Sequence, residues 1–230
     1  LMHDAAEAIL AGINRGDSIG GPATLAEIVS KSLSSCGYLD VDDLARCYLN
    51  WWRGDAFDTG PTFALVFQRV DTGISVEDAV EEVDRLLDGQ TAGCGPAQRI
   101  GPLAACRAIP TTEIASAART EARITHHHSH AGDAAAIVAL LCRRLIEGCS
   151  WEIAKERVSD DEPDTWSAIH AANISDGGYA LDVVRTAISF LDGDKAISES
   201  QKFAGSQNYC PVVVGAIEGA KSTQSTAMRL

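Results

Sequence analysis

Residues 134–141 read Ala-Ala-Ala-Ile-Val-Ala-Leu-Leu, with no polar side chain on any side of the helix they would form. A helix without a solvent face is buried, so the run predicts the central helix of the domain, over 133–147. Alanine favours the helical backbone, and its small side chain lets neighbouring helices come close. Outward from this centre the pattern stays helical. Apolar positions recur at helical spacing over 4–14, where Gly16 ends the run, and over 24–34, with Thr24 as the expected cap. Asp40 opens a helix over 41–52, Pro61 one over 62–70, and the capping pair Ser75 and Asp78 one over 75–87. Further helices are expected at 101–107, 111–124, 150–158, 178–192 and 195–203. Strand-like alternation is nearly absent. The stretch 159–178, broken by Asp-Asp-Glu-Pro-Asp and Asp-Gly-Gly, reads as a surface excursion. The expected fold is all-α, one domain over 1–220, with 221–230 as a polar, frayed tail.

The bulk composition fits that reading and removes several functions. The chain has 230 residues, 46% hydrophobic and only 6% aromatic, so its core is mostly Ala, Val, Leu and Ile. A formal charge of -13 argues against a nucleic-acid backbone or an anionic membrane as partner. It leaves room for a phosphorylated small molecule held by local backbone groups. Seven cysteines, an odd number with no Cys-x-x-Cys pair, suggest neither a disulfide framework nor a zinc knuckle. Buried thiols in a reducing, cytoplasmic setting are expected instead. No apolar run is long enough for a membrane span, and Asp4 and Glu7 interrupt any leader-like pattern at the start.

One local grammar recurs where loops meet helices. Gly21-Pro22, Gly60-Pro61, Gly95-Pro96, Gly101-Pro102 and Cys210-Pro211 all sit at such junctions. Proline in the first helical turn loses no hydrogen bond, and a glycine before it lets the chain bend or approach a ligand. Each junction read singly is only a helix start. Together, beside Asp17, Asp58 and Asn208, they suggest one site where unpaired amides and positive helix ends meet an anionic ligand.

Four segments in order then resemble the signatures of the ADP-ribosylglycohydrolase family, all-helical enzymes that remove ADP-ribose from modified proteins or small molecules. Gly16-Asp17-Ser18-Ile19-Gly20-Gly21-Pro22 is similar to Gly-Asp-x-x-Gly-x-Pro-x-Glu. Phe57-Asp58-Thr59 resembles Asp-Asp-Thr ahead of its helix. Gly93-Cys94-Gly95-Pro96-Ala97-Gln98-Arg99 through Leu103 resembles the Gly-Asn-Gly-x-x-Met-Arg-x-x-Pro-Leu loop. Thr125-His126 before an Ala-rich helix matches a further element. The last stretch, Ser206-Gln207-Asn208-Tyr209 ahead of Gly215-Ala216 and Gly219-Ala220, stands where the family has Asp-Thr-Asp-Thr.

The resemblance implies a compact orthogonal helical bundle and a hydrolase acting on a glycosidic bond to ADP-ribose or a related nucleotide sugar. The family's chemistry uses two divalent cations on carboxylates, and here those carboxylates are mostly replaced: Thr24 stands for Glu, Phe57 for one Asp, and Ser206 and Asn208 for two more. The resemblance therefore implies Asp58 and Thr59 as catalytic residues. Asp17, Gly93, Gly95, Arg99, His126, Ser206 and Asn208 would bind substrate, with the 93–101 loop around the diphosphate. No cofactor is required in this reading; magnesium would find at most one weak site, at Asp58. A non-catalytic ADP-ribose- or nucleotide-binding or structural protein on the same scaffold is the alternative, and a hydrolase using Glu27 as substitute acid a third reading.

Several residues carry a plainer reading beside the functional one. Asp17 in a Gly-Asp-Ser loop is also a turn cap, and Arg99 could pair with an acid rather than a phosphate. The run from His126 to His130 invites a metal, but it also fits a surface turn before the central helix. Cys94 or Cys210 with His126 would make a nucleophilic pair, against a buried inert thiol. Trp51-Trp52-Arg53 could stack a base or close a helix end.

Overall fold

A computed structural model describes residues 2–54, 56–193 and 195–227. Thirteen α-helices follow one another among the described residues: α1 (Met2–Gly16), α2 (Gly21–Cys36), α3 (Val41–Arg53), α4 (Pro61–Val70), α5 (Val76–Leu86), α6 (Gly95–Arg99), α7 (Ile114–Ala122), α8 (Ser129–Ile146), α9 (Trp151–Asp161), α10 (Pro163–Ala171), α11 (Ala180–Leu191), α12 (Ala196–Ala204) and α13 (Cys210–Ala227). Three 3-10 turns, Gly101–Ala105, Thr111–Glu113 and Gly205–Gln207, link them. Extended pairing among the described residues is confined to one isolated bridge, Gly93 with Tyr179. The fold is all-α.

The apolar run is at the centre. All of Ala134–Leu141 is buried within α8, and α6, α7, α9, α11 and α13 pack around it. The caps read from the sequence hold where the residue has the right backbone: Asp40 accepts from the Asp43 amide and Ser75 from the Asp78 amide. Thr24 is not a cap. Its helix starts three residues earlier, at Gly21, because Gly20 takes the left-handed backbone (φ 117°) that turns the chain into α2, and Pro22 fits the first turn. Thr24 Oγ1 instead donates to the Gly20 carbonyl.

Two other expectations change. The excursion over 159–178 contains a helix, α10, which Pro163 begins rather than breaks and which buries Ile169. The polar stretch after Ala220 continues α13 to Ala227. Gln224 there donates its amide to the carbonyls of Leu145 (2.8 Å) and Cys149 (2.6 Å), tying α13 to the end of α8 and the turn after it.

The closest packing is between α1 and α13. A β-carbon built on Gly12 would lie 2.0 Å from the Gly215 carbonyl oxygen, and one on Gly215 would lie 2.1 Å from the Gly12 oxygen. Gly16 meets Pro211 and Gly219 meets Ala8 at similar range. Backbone lies against backbone, so no side chain fits between. This seam carries the chain ends of both helices together, and so brings the loop after α1 against the loop before α13.

Candidate functional site

Where those two loops meet, helix openings surround a cavity of about 630 Å³. Pro22 of α2, Gly60 and Pro61 of α4, Gly95 of α6 and Tyr209 before α13 contribute to its wall. Three of the five glycine- or cysteine-proline junctions therefore line the cavity, and Cys210-Pro211 stands just behind the lining residue Tyr209. The fifth does not: Gly101 is packed against Ile9 of α1, where a β-carbon would lie 2.7 Å from that side chain. The volume lies within the range of small-molecule sites.

The wall nearest the seam is a closed polar clasp. Asp17 Oδ1 accepts from the amides of Ile19 (3.0 Å) and Gly20 (2.8 Å), and Oδ2 from that of Ala23 (2.9 Å) in the first turn of α2. Asn208 donates its amide to Asp17 (2.7 Å), while its Oδ1 accepts from both the Ser18 amide (3.0 Å) and the Ser18 hydroxyl (3.1 Å). Gln98 reaches across to donate to the carbonyls of Asn208 and Tyr209. Asn208 has φ 57°, a left-handed backbone that asparagine tolerates better than most residues. Asp17 accordingly organises the loop and the start of α2 and is not on the cavity wall. Asn208 is on the wall, with its Oδ1 and one N–H of its side-chain amide committed inside the protein. Of the two expected substrate-binding side chains, Asn208 therefore lines the cavity and Asp17 lies behind it.

The opposite wall is open. Asp58 also has a left-handed backbone (φ 50°), and its Oδ2 accepts a long bond from the Gly21 amide (3.3 Å). Gly21 must be glycine, since a β-carbon there would meet the Asp58 carbonyl oxygen at 2.4 Å. Burial raises the Asp58 pKa, the Gly21 amide opposes the rise, and the Asp17 charge adds to it. Thr59 lies beside it and donates to the Gly60 carbonyl. Ser206 lines the cavity from the turn before Asn208. Among the lining residues Asp58 is the one carboxylate, and among the described residues no three His, Cys, Asp or Glu side chains gather as a metal cluster would need.

His126 forms the floor. It is 4% exposed, and its ring lies under Gly93, where a β-carbon would come within 3.0 Å of Nε2. Its Nδ1 is 2.7 Å from Thr125 Oγ1, which also accepts from Arg99 (2.8 Å). Burial and the nearby Arg99 charge pull the imidazole down to about 3, so it is neutral in ordinary buffers. Arg99 does not reach the cavity as a phosphate ligand. It is 1% exposed, binds Glu121 at 2.7 Å, and lies 5.2 Å from the Tyr48 ring centre; Tyr48 in turn donates to Glu121 (2.5 Å). Burial works against its charge, and Glu121 and Tyr48 more than offset it. A buried cation needs its counterion, and one inside the core outcompetes a ligand outside it.

The histidine run splits among several tasks. His127 faces a second groove between α3, α5 and α7, His128 accepts from the His130 amide at the start of α8, and His130 meets the Tyr179 hydroxyl at 2.6 Å. Burial pushes the Cys94 thiol up to about 12 and Cys210 to about 11, so neither is a ready thiolate. Glu27 pairs with Lys31 (3.5 Å) on the outer face of α2, away from the cavity. Trp51 closes the end of α3 against Phe57 and Phe63. Among the lining residues without a role in the sequence reading are Gln98, inside a loop read for its glycines, and Tyr179, which the Gly177-Gly178 pair before α11 could have marked.

The chain is thus an all-helical bundle whose helix openings line a cavity. Residues 21–222 match the family described as ADP-ribosylglycohydrolase, and the chain belongs to it. Among solved structures, one titled "ADP-ribosylglycohydrolase-related protein complex" is similar in fold, with a TM-score of 0.71 and 20% identity over 96% of this chain and 88% of the other. No curated protein matches. Among the described residues no helix is long and apolar enough to cross a membrane.

Proposed function

We propose that the cavity binds ADP-ribose or a related nucleotide sugar and hydrolyses its glycosidic bond, with Asp58 as the base that activates water. The observation that carries this is the position of Asp58: the one carboxylate among the lining residues, with its Oδ1 free of hydrogen bonds among the described residues and its pKa raised. A raised pKa makes the carboxylate a better proton acceptor. Water attacking the anomeric carbon would pass its proton to Oδ1, as the bond to the leaving group breaks through an oxocarbenium-like state. Amides at the start of α4, with the positive helix end behind them, suit the diphosphate. Tyr179, 39% exposed and anchored through its hydroxyl to His130, offers a fixed ring for the base.

The family's two-cation chemistry fits these residues poorly. Magnesium requires oxygen ligands, mostly anionic, and Asp58 supplies one while the Asn208 side chain is committed to Ser18 and Asp17. In our reading the reaction proceeds without a metal, or with one weakly held magnesium at Asp58. Seven free cysteines support a reducing, cytoplasmic setting.

The single carboxylate also favours a second reading, a non-catalytic nucleotide-sugar binder on the same scaffold. Calorimetry with ADP-ribose, with and without magnesium, followed by turnover on ADP-ribosylated arginine, serine and small-molecule linkages, separates the two. Turnover that persists in chelator and disappears in Asp58→Asn supports the hydrolase. Tight binding with no release leaves the binder, and strict magnesium dependence removes the metal-free reading.

A further inference from the structure

The His126 ring is the one deeply buried polar side chain whose outer nitrogen opens on the cavity without a protein partner: Nε2 makes no hydrogen bond among the described residues. Which way that nitrogen acts depends on the neighbour of the inner one. Thr125 Oγ1 has three contacts, Arg99 Nη2 at 2.8 Å, His126 Nδ1 at 2.7 Å and the Ala122 carbonyl at 3.3 Å. A hydroxyl has one proton to give. The guanidinium is only a donor, so Oγ1 accepts there, and the proton goes to Nδ1 or to the carbonyl. The Ala122 carbonyl already accepts from the amides of Thr125 (3.1 Å) and His126 (2.9 Å), and its distance to the hydroxyl is the longer by far. The cationic neighbour also makes the hydroxyl a better donor.

We propose that Thr125 is a positioning residue: held by Arg99, it donates to His126 Nδ1 and fixes the imidazole in the tautomer whose Nε2–H points into the cavity as a neutral donor. Arg99 is itself oriented by Glu121 and Tyr48, so the chain Tyr48–Glu121–Arg99–Thr125 runs from the aromatic core to the cavity floor. The ligand group facing Nε2 is then an acceptor oxygen, such as a ribose hydroxyl or phosphate oxygen, and His126 takes no part in proton transfer. Gly93 keeps that path open, because a side chain there would crowd Nε2. That the oxygen belongs to a nucleotide sugar rests on the function proposed above; the tautomer does not.

The test is nitrogen NMR of the imidazoles at pH 7 in the wild type, Thr125→Val and Thr125→Ser. The wild type and Thr125→Ser should show an unprotonated Nδ1 and a protonated Nε2 at His126, and Thr125→Val should lose that pattern. A wild-type Nδ1 that carries the proton, or a Thr125→Val ring identical to wild type, overturns the proposal; the wild-type spectrum decides even if the valine variant fails to fold. In calorimetry with ADP-ribose, Thr125→Val should bind about tenfold more weakly, as loss of one aligned hydrogen bond implies, and Thr125→Ser should restore binding. Equal binding by Thr125→Val overturns the role in recognition. If the wild type binds no ADP-ribose while the spectrum shows the protonated Nε2, the ligand reading fails and the positioning of the ring stands.

Discussion

The two walls of the cavity hold similar residues and use them in opposite ways. On the seam side, Asp17 and Ser18 behind the wall tie down the Oδ1 and one N–H of Asn208, and Asp17 holds the start of α2. On the far side, Asp58 and His126 line the cavity, and Asp58 Oδ1 and His126 Nε2 make no hydrogen bond among the described residues. Asp17 and Asp58 both stand a few residues before a Gly-Pro pair, and both precede a helix opened by proline. The difference comes from packing: the α1/α13 seam presses the first pair of loops together, whereas the 56–60 loop meets the start of α2 at Gly20 and Gly21. Residue type at a signature position gives the chemistry, and the packing behind it decides whether that chemistry is available.

The largest effect should come from opening the seam. Gly215→Val places a side chain into the Gly12 backbone, where even a β-carbon would be 2.1 Å from an oxygen, and helix and helix cannot both stay. Loss of more than about 4 kcal/mol, or no folded protein, is expected in thermal or urea unfolding. A folded Gly215→Val with an unchanged melting point would show that the clasp does not depend on the seam. Next in size is Arg99→Met. It leaves Glu121 buried, with Oε2 already lacking a partner, and should cost about 3–5 kcal/mol in chemical denaturation. Asn208→Ala follows. It loses the bonds to Ser18 and Asp17 and puts a less tolerant residue at φ 57°, for a cost of about 2–3 kcal/mol; Asn208→Gly, which accepts that backbone, should recover part of it.

How much of this could be read beforehand follows the same division. The central helix was legible because a run with no polar face has only one place to go, and the caps at Asp40 and Ser75 because a short side chain before a helix serves local amides. The helix at Pro163 was misread because proline both ends and begins helices, and the choice depends on whether a buried residue such as Ile169 has a core to join. The convergence of Pro22, Pro61 and Gly95 on one cavity, and the isolation of Gly101, came from contacts between segments far apart in the chain. Arg99 carried two readings, phosphate ligand or ion pair, and only the position of Glu121 one turn of chain below the floor decides between them.

The two walls should also differ in acid. His126 titrates at about 3 in the folded protein against an ordinary value of 6.5. Below 6.5 the unfolded chain takes up a proton that the folded one refuses, so stability rises with pH in this window: it is complete above 6.5 and is lost as pH falls toward 3. The slope from this one ring approaches about 1.4 kcal/mol per pH unit. Denaturant unfolding of wild type and His126→Gln at pH 7, 5.5 and 4.5 measures it as the difference between the two curves. Parallel curves would mean that the ring is solvated and the floor is open to water.

Asp58→Asn should have the smallest effect on stability, and its sign is the informative part. The folded pKa is raised, so between the ordinary carboxylate value and the raised one the folded state holds a proton that the unfolded chain has released. Stability therefore falls as pH rises through that interval, and at neutral pH the charge on Asp58 opposes folding. Asparagine keeps an acceptor for the Gly21 amide, tolerates the backbone at φ 50°, and carries no charge. The variant should match or slightly exceed the wild type at pH 7, within about 0.5 kcal/mol, and the difference should vanish at pH 3, where both side chains are neutral. On the clasp wall the corresponding change, Asp17→Asn, replaces an acceptor of three amides with a side chain that has only one acceptor oxygen, and it should destabilise at pH 7. If Asp58→Asn is instead the more damaging of the two in thermal melts, Asp58 is a structural residue like Asp17, and the cavity has no carboxylate left for chemistry.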